Sequence, residues 1–284
     1  MKHKDITVVL LLYKTPKKLL KNFKSYKSFN ILILDQSNDL KTKKSLEEIL
    51  PNIKYYGITK TNKGYAKAQN YLIKKVKTKY FFSTQSDISL SANSILKLQK
   101  TIIKFNKSCI ISVPKISGLK NTKIIKKKNN KKEYAIKNMI GAAFMADKKK
   151  FTKLGMFDEN FFFYWEDVDL SHRIMQSKYN IYLNSDSIAN HISGASTENN
   201  FRTFAIRNIN FKFGEYFFAS KIGKLRLIKI IRQLILNLIY SVIYFILFKF
   251  KKAYKCICYF FGIIKFFYYK INLFERFIAR QKKI

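Results

Sequence analysis

The chain has 284 residues, 48% of them hydrophobic and 16% aromatic, which is enough to bury a sizeable core and excludes wholesale disorder. With only 9 Gly and 3 Pro, collagen-like, linker-rich and many-turned all-β architectures are excluded too. The 56 Lys and Arg against 17 Asp and Glu give a formal charge of +39, which calls for an anionic partner such as nucleic acid or a membrane surface. Of the 56, 49 are Lys, whereas phosphate-reading surfaces favour Arg. The surplus therefore reads as a solvated lysine surface with mild attraction to membranes. Three cysteines, Cys109, Cys256 and Cys258, make no disulfide framework and no metal-type spacing, which points to a reducing compartment.

In chain order, Met1–Lys4 is basic, but the apolar run Ile6–Tyr13 is only strand-sized and is followed by Lys14 and Pro16. It does not read as a signal peptide, and the amino-terminal domain is expected to stay in the cytoplasm. Thr7–Tyr13 reads as a buried strand, Lys17–Tyr26 as a helix, Ile31–Leu34 as a strand ending at Asp35, and Thr42–Leu50 as a helix stopped by Pro51. Strands at Ile53–Ile58 and Tyr80–Thr84, helices at Tyr65–Val76 and Ser91–Phe105, and a fifth strand at Cys109–Val113 ended by Pro114 complete the first 115 residues. This alternation predicts a mainly parallel sheet flanked by helices, with ligands beyond the carboxyl ends of the strands. Lys115–Lys132 reads as a solvated loop. An apolar stretch Met139–Ala146, Asp147 as a helix N-cap, an aromatic and acidic segment to Arg173 and a short strand Ile181–Leu183 follow. After about residue 200 the composition changes, with 18 basic residues and 2 acidic ones in 201–284.

The scarce acidic residues point to chemistry. Five of the 17 fall within twelve residues: Asp158, Glu159, Glu166, Asp167 and Asp169. Carboxylates this close repel unless a metal, cation or proton is present, and the neighbouring Phe161–Trp165 would raise their basicity, as a general base needs. The same acids also suit the first turn of a helix, with Asp169 and Arg173 at ion-pair spacing. Asp35 and Asp87 each follow a strand, where a ligand or a divalent cation would lie; turn chemistry suits the Asp35 segment equally. Asn62-Lys63-Gly64 opens a helix, and Gly64 would let backbone approach a ligand. Of the histidines His3, His172 and His191, His191 follows the last short strand.

In order along the chain, Val8–Tyr13, Asp35–Asp39, Asn62–Asn70 and Gln85-Ser86-Asp87 resemble the nucleotide-sugar half of family-2 glycosyltransferases with the GT-A fold. Gly141–Met145, Gly155–Phe162 and Trp165–Arg173 resemble the acceptor half, and His191 with Gly194 and Ser196 resembles the segment that closes the site. The likeness is greatest to the rhamnosyltransferase-like branch and spans about residues 6–197. It implies a GT-A domain over residues 1–200, with a donor half (1–115) and an acceptor half (133–200). It implies donor binding by Tyr13, Asp35, Asn62, Gly64, Asn70, Gln85 and Asp87. Asp87 and His191 would hold a divalent cation, Mg or Mn. Trp165 and Glu166 would contact the acceptor, Asp169 and Arg173 would support them, and Asp167 would be the catalytic base of an inverting transfer. Gln85 stands where the family's first metal-site acid is usual, and Ser89 where some relatives carry a further one. A basic nucleic-acid-binding protein and a nucleotidyltransferase are the alternatives; neither a zinc finger, an RRM-like or helix-turn-helix pattern nor a Gly-rich phosphate loop is readable.

The tail 201–284 lies outside the resemblance. Leu234–Phe248 is a 15-residue run without charge between Arg232 and Lys249. As a helix it is about 22 Å long, short of a ~30 Å hydrocarbon core. Lys229, Arg232, Gln233, Asn237, Tyr240, Ser241 and Tyr244 make one polar stripe, as in a helix lying in a membrane interface. Cys256–Ile264 is a second short run with lysines on both sides, as expected beside anionic lipid. A soluble helical subdomain or a single tilted span are the alternatives. The expectation is a peripheral protein on the inner membrane face, with a lipid-linked saccharide as acceptor and no nucleic-acid partner.

Overall fold

The apolar run near the amino terminus forms strand β1 (Ile6–Leu12), buried at every position but Leu11. The structure, a computed structural model, describes residues 3–37, 39–117, 132–191 and 200–281, with side chains to 273. Asn38, most of Lys115–Lys132, and Gly194 and Ser196 lie outside the described residues. Two compact units emerge, Met1–Phe162 with Glu166–Glu198, and Phe163–Trp165 with Asn199–Ile284.

In the first unit β1 sits between two parallel neighbours, β2 (Asn30–Asp35) and β4 (Tyr80–Thr84), and β3 (Ile53–Ile58) adds to β2. The strands alternate with α1 (Lys17–Leu20), α2 (Leu40–Ile49), α3 (Tyr65–Lys75) and α4 (Ala92–Lys104). The mixed half adds β5 (Ile88–Ser89), β6 (Cys109–Ser117), β7 (Glu133–Ile136), β8 (Ala143–Asp147) and β9 (Asn180–His191). The order is β3-β2-β1-β4-β8-β6-β9-β5, with β7 also on β9. The expected mixed, mainly parallel α/β sheet flanked by helices is present, and Asp147 caps α5 (Lys148–Lys153) through the Lys150 amide.

Three elements differ from the sequence expectation. The helix expected over Lys17–Tyr26 gives way after Leu20 to a 3-10 segment, Lys21–Tyr26. Three residues per turn put Leu20, Phe23 and Tyr26 on one side, and all three are buried. Strand β6 does not stop at Pro114. Its register on β9 shifts between Pro114 and Lys115, an irregularity that lets the strand pass a residue with no N–H to give. The short strand at Ile181–Leu183 extends to His191, because the polar residues that read as loop are bonded to α4. Asn184 donates to Thr101 Oγ1 at 2.9 Å, Ser187 donates to the Ser94 carbonyl at 3.0 Å, and Lys97 donates to the Asp186 carbonyl at 2.8 Å.

The second unit is helical: α7 (Phe201–Lys221), α8 (Leu227–Ile246) and α9 (Phe250–Gln281). A capping box of Asn200 and Thr203 starts α7. Helix α9 packs against both α7 and α8. A Cβ on Gly262 would lie 2.6 Å from the Ile209 carbonyl oxygen, so glycine lets the α9 and α7 backbones approach. Of the polar stripe of α8, Lys229, Arg232 and Tyr240 are exposed, whereas Asn237 and Ser241 are buried.

Candidate active site

Strand directions gather the candidate residues at one edge of the first unit. β1, β2, β3 and β4 are mutually parallel, so Tyr13, Asp35, the loop carrying Asn62 and Gly64, Gln85 and Asp87 all follow carboxyl ends. β8 is antiparallel to β4 with Thr84 opposite Ala143, which brings Gly141 to that edge. β6 is antiparallel to β8, and β9 is parallel to β6, so His191 ends there as well.

Tyr13 is half-buried, just before Lys14 with φ 46°. Asp35 is fully buried. Its Oδ1 accepts from the Ser37 amide at 2.8 Å and from the Ser37 hydroxyl, and its Oδ2 accepts from the Tyr56 hydroxyl at 3.4 Å. One oxygen is thus committed to turn chemistry and the other is loosely held. Burial, then the Asp35 charge, pushes the Tyr56 hydroxyl pKa up. Asn62 Oδ1 accepts from the Gly64 amide at 2.8 Å, and buried Gln36 Oε1 accepts from the Lys63 amide at 2.7 Å. Gly64 has φ 84°, and a Cβ there would lie 2.5 Å from the Phe162 carbonyl oxygen. Close approach of Phe162, rather than of a ligand, therefore demands this glycine.

Asp87 and His191 are brought together by register, since Ile88 pairs with His191 in the β5–β9 ladder. His191 Nε2 lies 3.5 Å from Asp87 Oδ2, with only 2% of the Asp87 side chain exposed. Asp87 Oδ1 and His191 Nδ1 are buried without a hydrogen-bond partner among the described residues. A carboxylate and an imidazole with Oδ2 and Nε2 3.5 Å apart fit two ligands of one divalent cation, whose other positions substrate phosphates and waters commonly fill. Among the described residues no group of three or more His, Cys, Asp or Glu forms a self-contained metal site.

Glu166 and Asp167 open α6 (Glu166–Met175), with Asp169 also in its first turn. Asp167 Oδ2 accepts from the Gly141 amide at 2.9 Å and Oδ1 from the Val168 amide at 2.8 Å. A Cβ on Gly141 would lie 3.2 Å from Asp167 Cβ, so glycine permits this approach. The Gly141 carbonyl in turn accepts from the buried Tyr65 hydroxyl at 2.6 Å. That hydroxyl is flanked by Ser83 and Gln85, and its pKa is raised by burial and by Glu166. Desolvation raises the Asp167 pKa, and the backbone N–H bonds oppose the rise. Glu166 is raised well above the ordinary carboxylate range, by burial first and by the Asp167 charge second, and its Oε2 has no hydrogen-bond partner among the described residues. Burial thus pushes both carboxyls up, Glu166 the further, so the neutral form is favoured more at Glu166 than at Asp167.

The remaining candidates are framework. Arg173 Nε donates to Asp169 Oδ2 at 2.9 Å, while its two terminal nitrogens donate to the Leu154 and Met156 carbonyls at 2.9 and 2.6 Å. It thus fixes α6 to the turn at Gly155 and Met156, both with positive φ. Asn70, expected at the donor, is buried, and its amide is spent on Phe157 N, Phe157 O and Glu159 Oε1. Trp165 belongs to the second unit. Its ring centroid lies 5.8 Å from those of Phe211 and Phe218, and a Cβ on Gly214 would reach within 2.8 Å of its Cδ1. Its face is committed to α7, and its indole Nε1 is buried without a hydrogen-bond partner among the described residues. Nothing local in the sequence marks Tyr65 and Gly141 as the residues that hold Asp167, because a Tyr at a helix start and a Gly before a strand have ordinary structural uses; their joint role is a tertiary fact.

The family described as Glycosyl transferase family 2 matches residues 9–171, a stretch that includes Tyr13, Asp35, Asp87 and Asp167. The chain belongs to this family. No curated protein matches it. Among solved structures it is similar to that of GalNAc-T7 with UDP, GalNAc and Mn2+, at TM-score 0.56 and 16% identity over 78% of this chain and 51% of that one. It is similar also to S. aureus TarS, at TM-score 0.54 and 13% identity over 86% of this chain and 44% of that one. These likenesses establish the GT-A fold. The family-2 chain spans about half the length of either structure.

Proposed function

We propose that this family-2 chain is an inverting glycosyltransferase that moves a sugar from a nucleoside-diphosphate donor to a hydroxyl of a lipid-linked saccharide or cell-surface glycan precursor. Rhamnose is the sugar favoured by the resemblance of its motifs. The observation that carries the reading is geometric: Asp167 is pinned by the Gly141 and Val168 amides at the start of α6, beside buried Glu166. Asp167 removes the acceptor proton as the hydroxyl oxygen attacks the anomeric carbon from the face opposite the diphosphate, and the configuration inverts. The Glu166 carboxyl, with an oxygen left unpartnered, hydrogen-bonds the acceptor and keeps the second charge out of the site. Asp35 meets the nucleoside through its loosely held Oδ2, and Tyr13, Asn62 and Gln85 border the donor.

Asp87 and His191 would hold a divalent cation, Mg or Mn, a reading supported by the 3.5 Å approach of Oδ2 and Nε2 and by the Mn2+ and UDP in the GalNAc-T7 structure. Such a cation neutralises charge developing on a diphosphate leaving group. The cationic tail suits an anionic membrane surface, where a lipid-linked acceptor resides.

The test is a thermal-shift and hydrolysis screen of UDP-, dTDP- and GDP-sugars with Mg2+ or Mn2+. A specific donor at a hundredfold excess over Kd adds about 2.7 kcal/mol of stability. One nucleotide class is expected to shift the melting temperature and to be hydrolysed slowly. No shift with any donor, alongside salt-sensitive affinity for generic DNA, would replace the transferase reading with nucleic-acid binding.

A further inference from the structure

Helix α8 buries Ile230 and two polar residues and exposes most of its other apolar ones. On α8 the residues turned inward include Asn237 and Ser241, 8% and 9% exposed. The residues turned outward include Ile228, Ile235, Ile239, Val242, Phe245 and Ile246, the first of them 84% exposed. A soluble surface helix has the opposite arrangement, an apolar stripe inside and polar residues outside. Small polar residues between helices with apolar residues outside is the pattern of helices solvated by lipid. Helix α9 carries an exposed apolar stripe of its own, Ile257, Phe261, Ile264, Tyr268 and Ile271, at steps of four and three. The exposed apolar residues are far more than the scattered ones of an ordinary surface, and exposed Lys229 and Arg232 leave α8 a polar side to turn toward water.

Charge completes the picture. Arg226, Lys229 and Arg232 stand at one end of α8, and Lys249, Lys251 and Lys252 follow the other. Long cationic side chains there can lay their stems along apolar surface and put their heads among lipid phosphates. The uncharged part of α8 after Arg232 ends at Ile246 and is roughly 21 Å long, below the ~30 Å hydrocarbon core. Lys265 of α9 donates to Asn210 of α7 at 2.6 Å, and a spanning α9 would carry that lysine to mid-bilayer.

We propose that α8 and the exposed stripe of α9 form a lipid-embedded floor, lying along one leaflet of an anionic bilayer with its apolar side chains in the hydrocarbon. This deepens the membrane partner proposed above, from attraction by surface charge to insertion, and it is independent of the transfer chemistry. Asn237 and Ser241 are buried and donate to the Gln233 and Leu238 carbonyls of α8 itself.

The experiment is flotation of the full-length protein with phosphatidylcholine vesicles, with and without phosphatidylglycerol. It is run at low salt and at about 1 M salt, where the screening length is only about 3 Å. The protein is expected to bind anionic vesicles and to stay bound in high salt. The double variant Ile235→Glu, Ile239→Glu should lose partitioning at least about tenfold while keeping its helical circular dichroism and any donor-dependent thermal shift. A fluorophore at Val242→Cys, in a Cys256→Ser background, should be quenched by lipids brominated in the acyl chain. Complete release by salt, no quenching, or a soluble dimer that ignores vesicles would each overturn the insertion. A donor-dependent thermal shift in the same preparation reports separately on the transferase reading.

Discussion

Asp87 and Asp167 lie at the same carboxyl edge of the sheet, but they are held in opposite ways. Asp87 is 2% exposed, has one long 3.5 Å contact to His191, and leaves Oδ1 without a partner among the described residues. Asp167 is less buried, yet each of its oxygens accepts a backbone amide at 2.8–2.9 Å. A buried carboxylate left under-satisfied is costly unless a cation or proton supplies what is missing. A carboxylate gripped by backbone is fixed in direction, and each oxygen keeps a lone pair for a proton. The contrast separates a carboxylate left with an unpartnered oxygen from one fixed in direction by backbone.

The largest effect that would break this contrast is at the base. Asp167→Asn keeps the volume and removes the basicity, so kcat should fall by roughly 10²–10⁴ while donor binding, followed by thermal shift, persists. Retention of more than about half the turnover would move the role to Glu166.

At the other pole, Asp87→Ala and His191→Ala should each weaken metal-dependent donor binding by at least about 10-fold, the loss that even supporting residues of metal sites produce. EDTA should silence the enzyme, whereas His172→Ala should do little. Full activity of Asp87→Ala in EDTA would erase the difference between the two acids.

A smaller effect sharpens the contrast from within. Tyr65→Phe removes the hydroxyl that braces Gly141, one hydrogen bond worth about 0.5–1.5 kcal/mol. With Gly141 looser, its amide stabilises the Asp167 carboxylate less, so the acid limb of the kcat–pH profile should move to higher pH as kcat falls a few-fold. A drop in kcat with an unmoved acid limb would make Tyr65 a packing residue only.

The smallest effect is on stability. Because Glu166 has a folded-state pKa raised above its unfolded value, its contribution is fully present below the unfolded pKa and is lost as pH rises through the folded one. Each tenfold difference in proton affinity between the folded and the unfolded carboxyl is worth about 1.4 kcal/mol. Glu166→Gln should flatten this decline in urea titrations across pH, and an unchanged pH slope would contradict the buried-proton assignment. The acid limb of turnover should likewise lie above the ordinary Asp range, since Asp167 must lose its proton to act and its pKa is raised.

Legibility in the sequence followed locality. β3 and β4 were readable to the residue: β4 is a short, fully buried run, and β3 is rich in Ile and Tyr and starts just after Pro51-Asn52. The first-turn acids of α6 and the Asp169–Arg173 pair were readable because (i, i+4) spacing is local. The extent of β9 was hidden because Asn184, Asp186 and Ser187 look like loop until α4 supplies their partners. Asn70 looked like a donor contact and is instead spent on Phe157 and Glu159, some 87–89 residues away. The polar stripe of α8 was visible as a period, but a period does not say which members are buried: Asn237 and Ser241 face in, Lys229 and Arg232 out.

The measurement that tests the central claim most directly is the anomeric configuration of the sugar released from the identified donor, read by proton NMR in the first minutes, for wild type and Asp167→Asn. The account predicts release with inverted configuration by the wild type and its loss in Asp167→Asn, with donor binding intact. Retained configuration, or equal release by the variant, would contradict it.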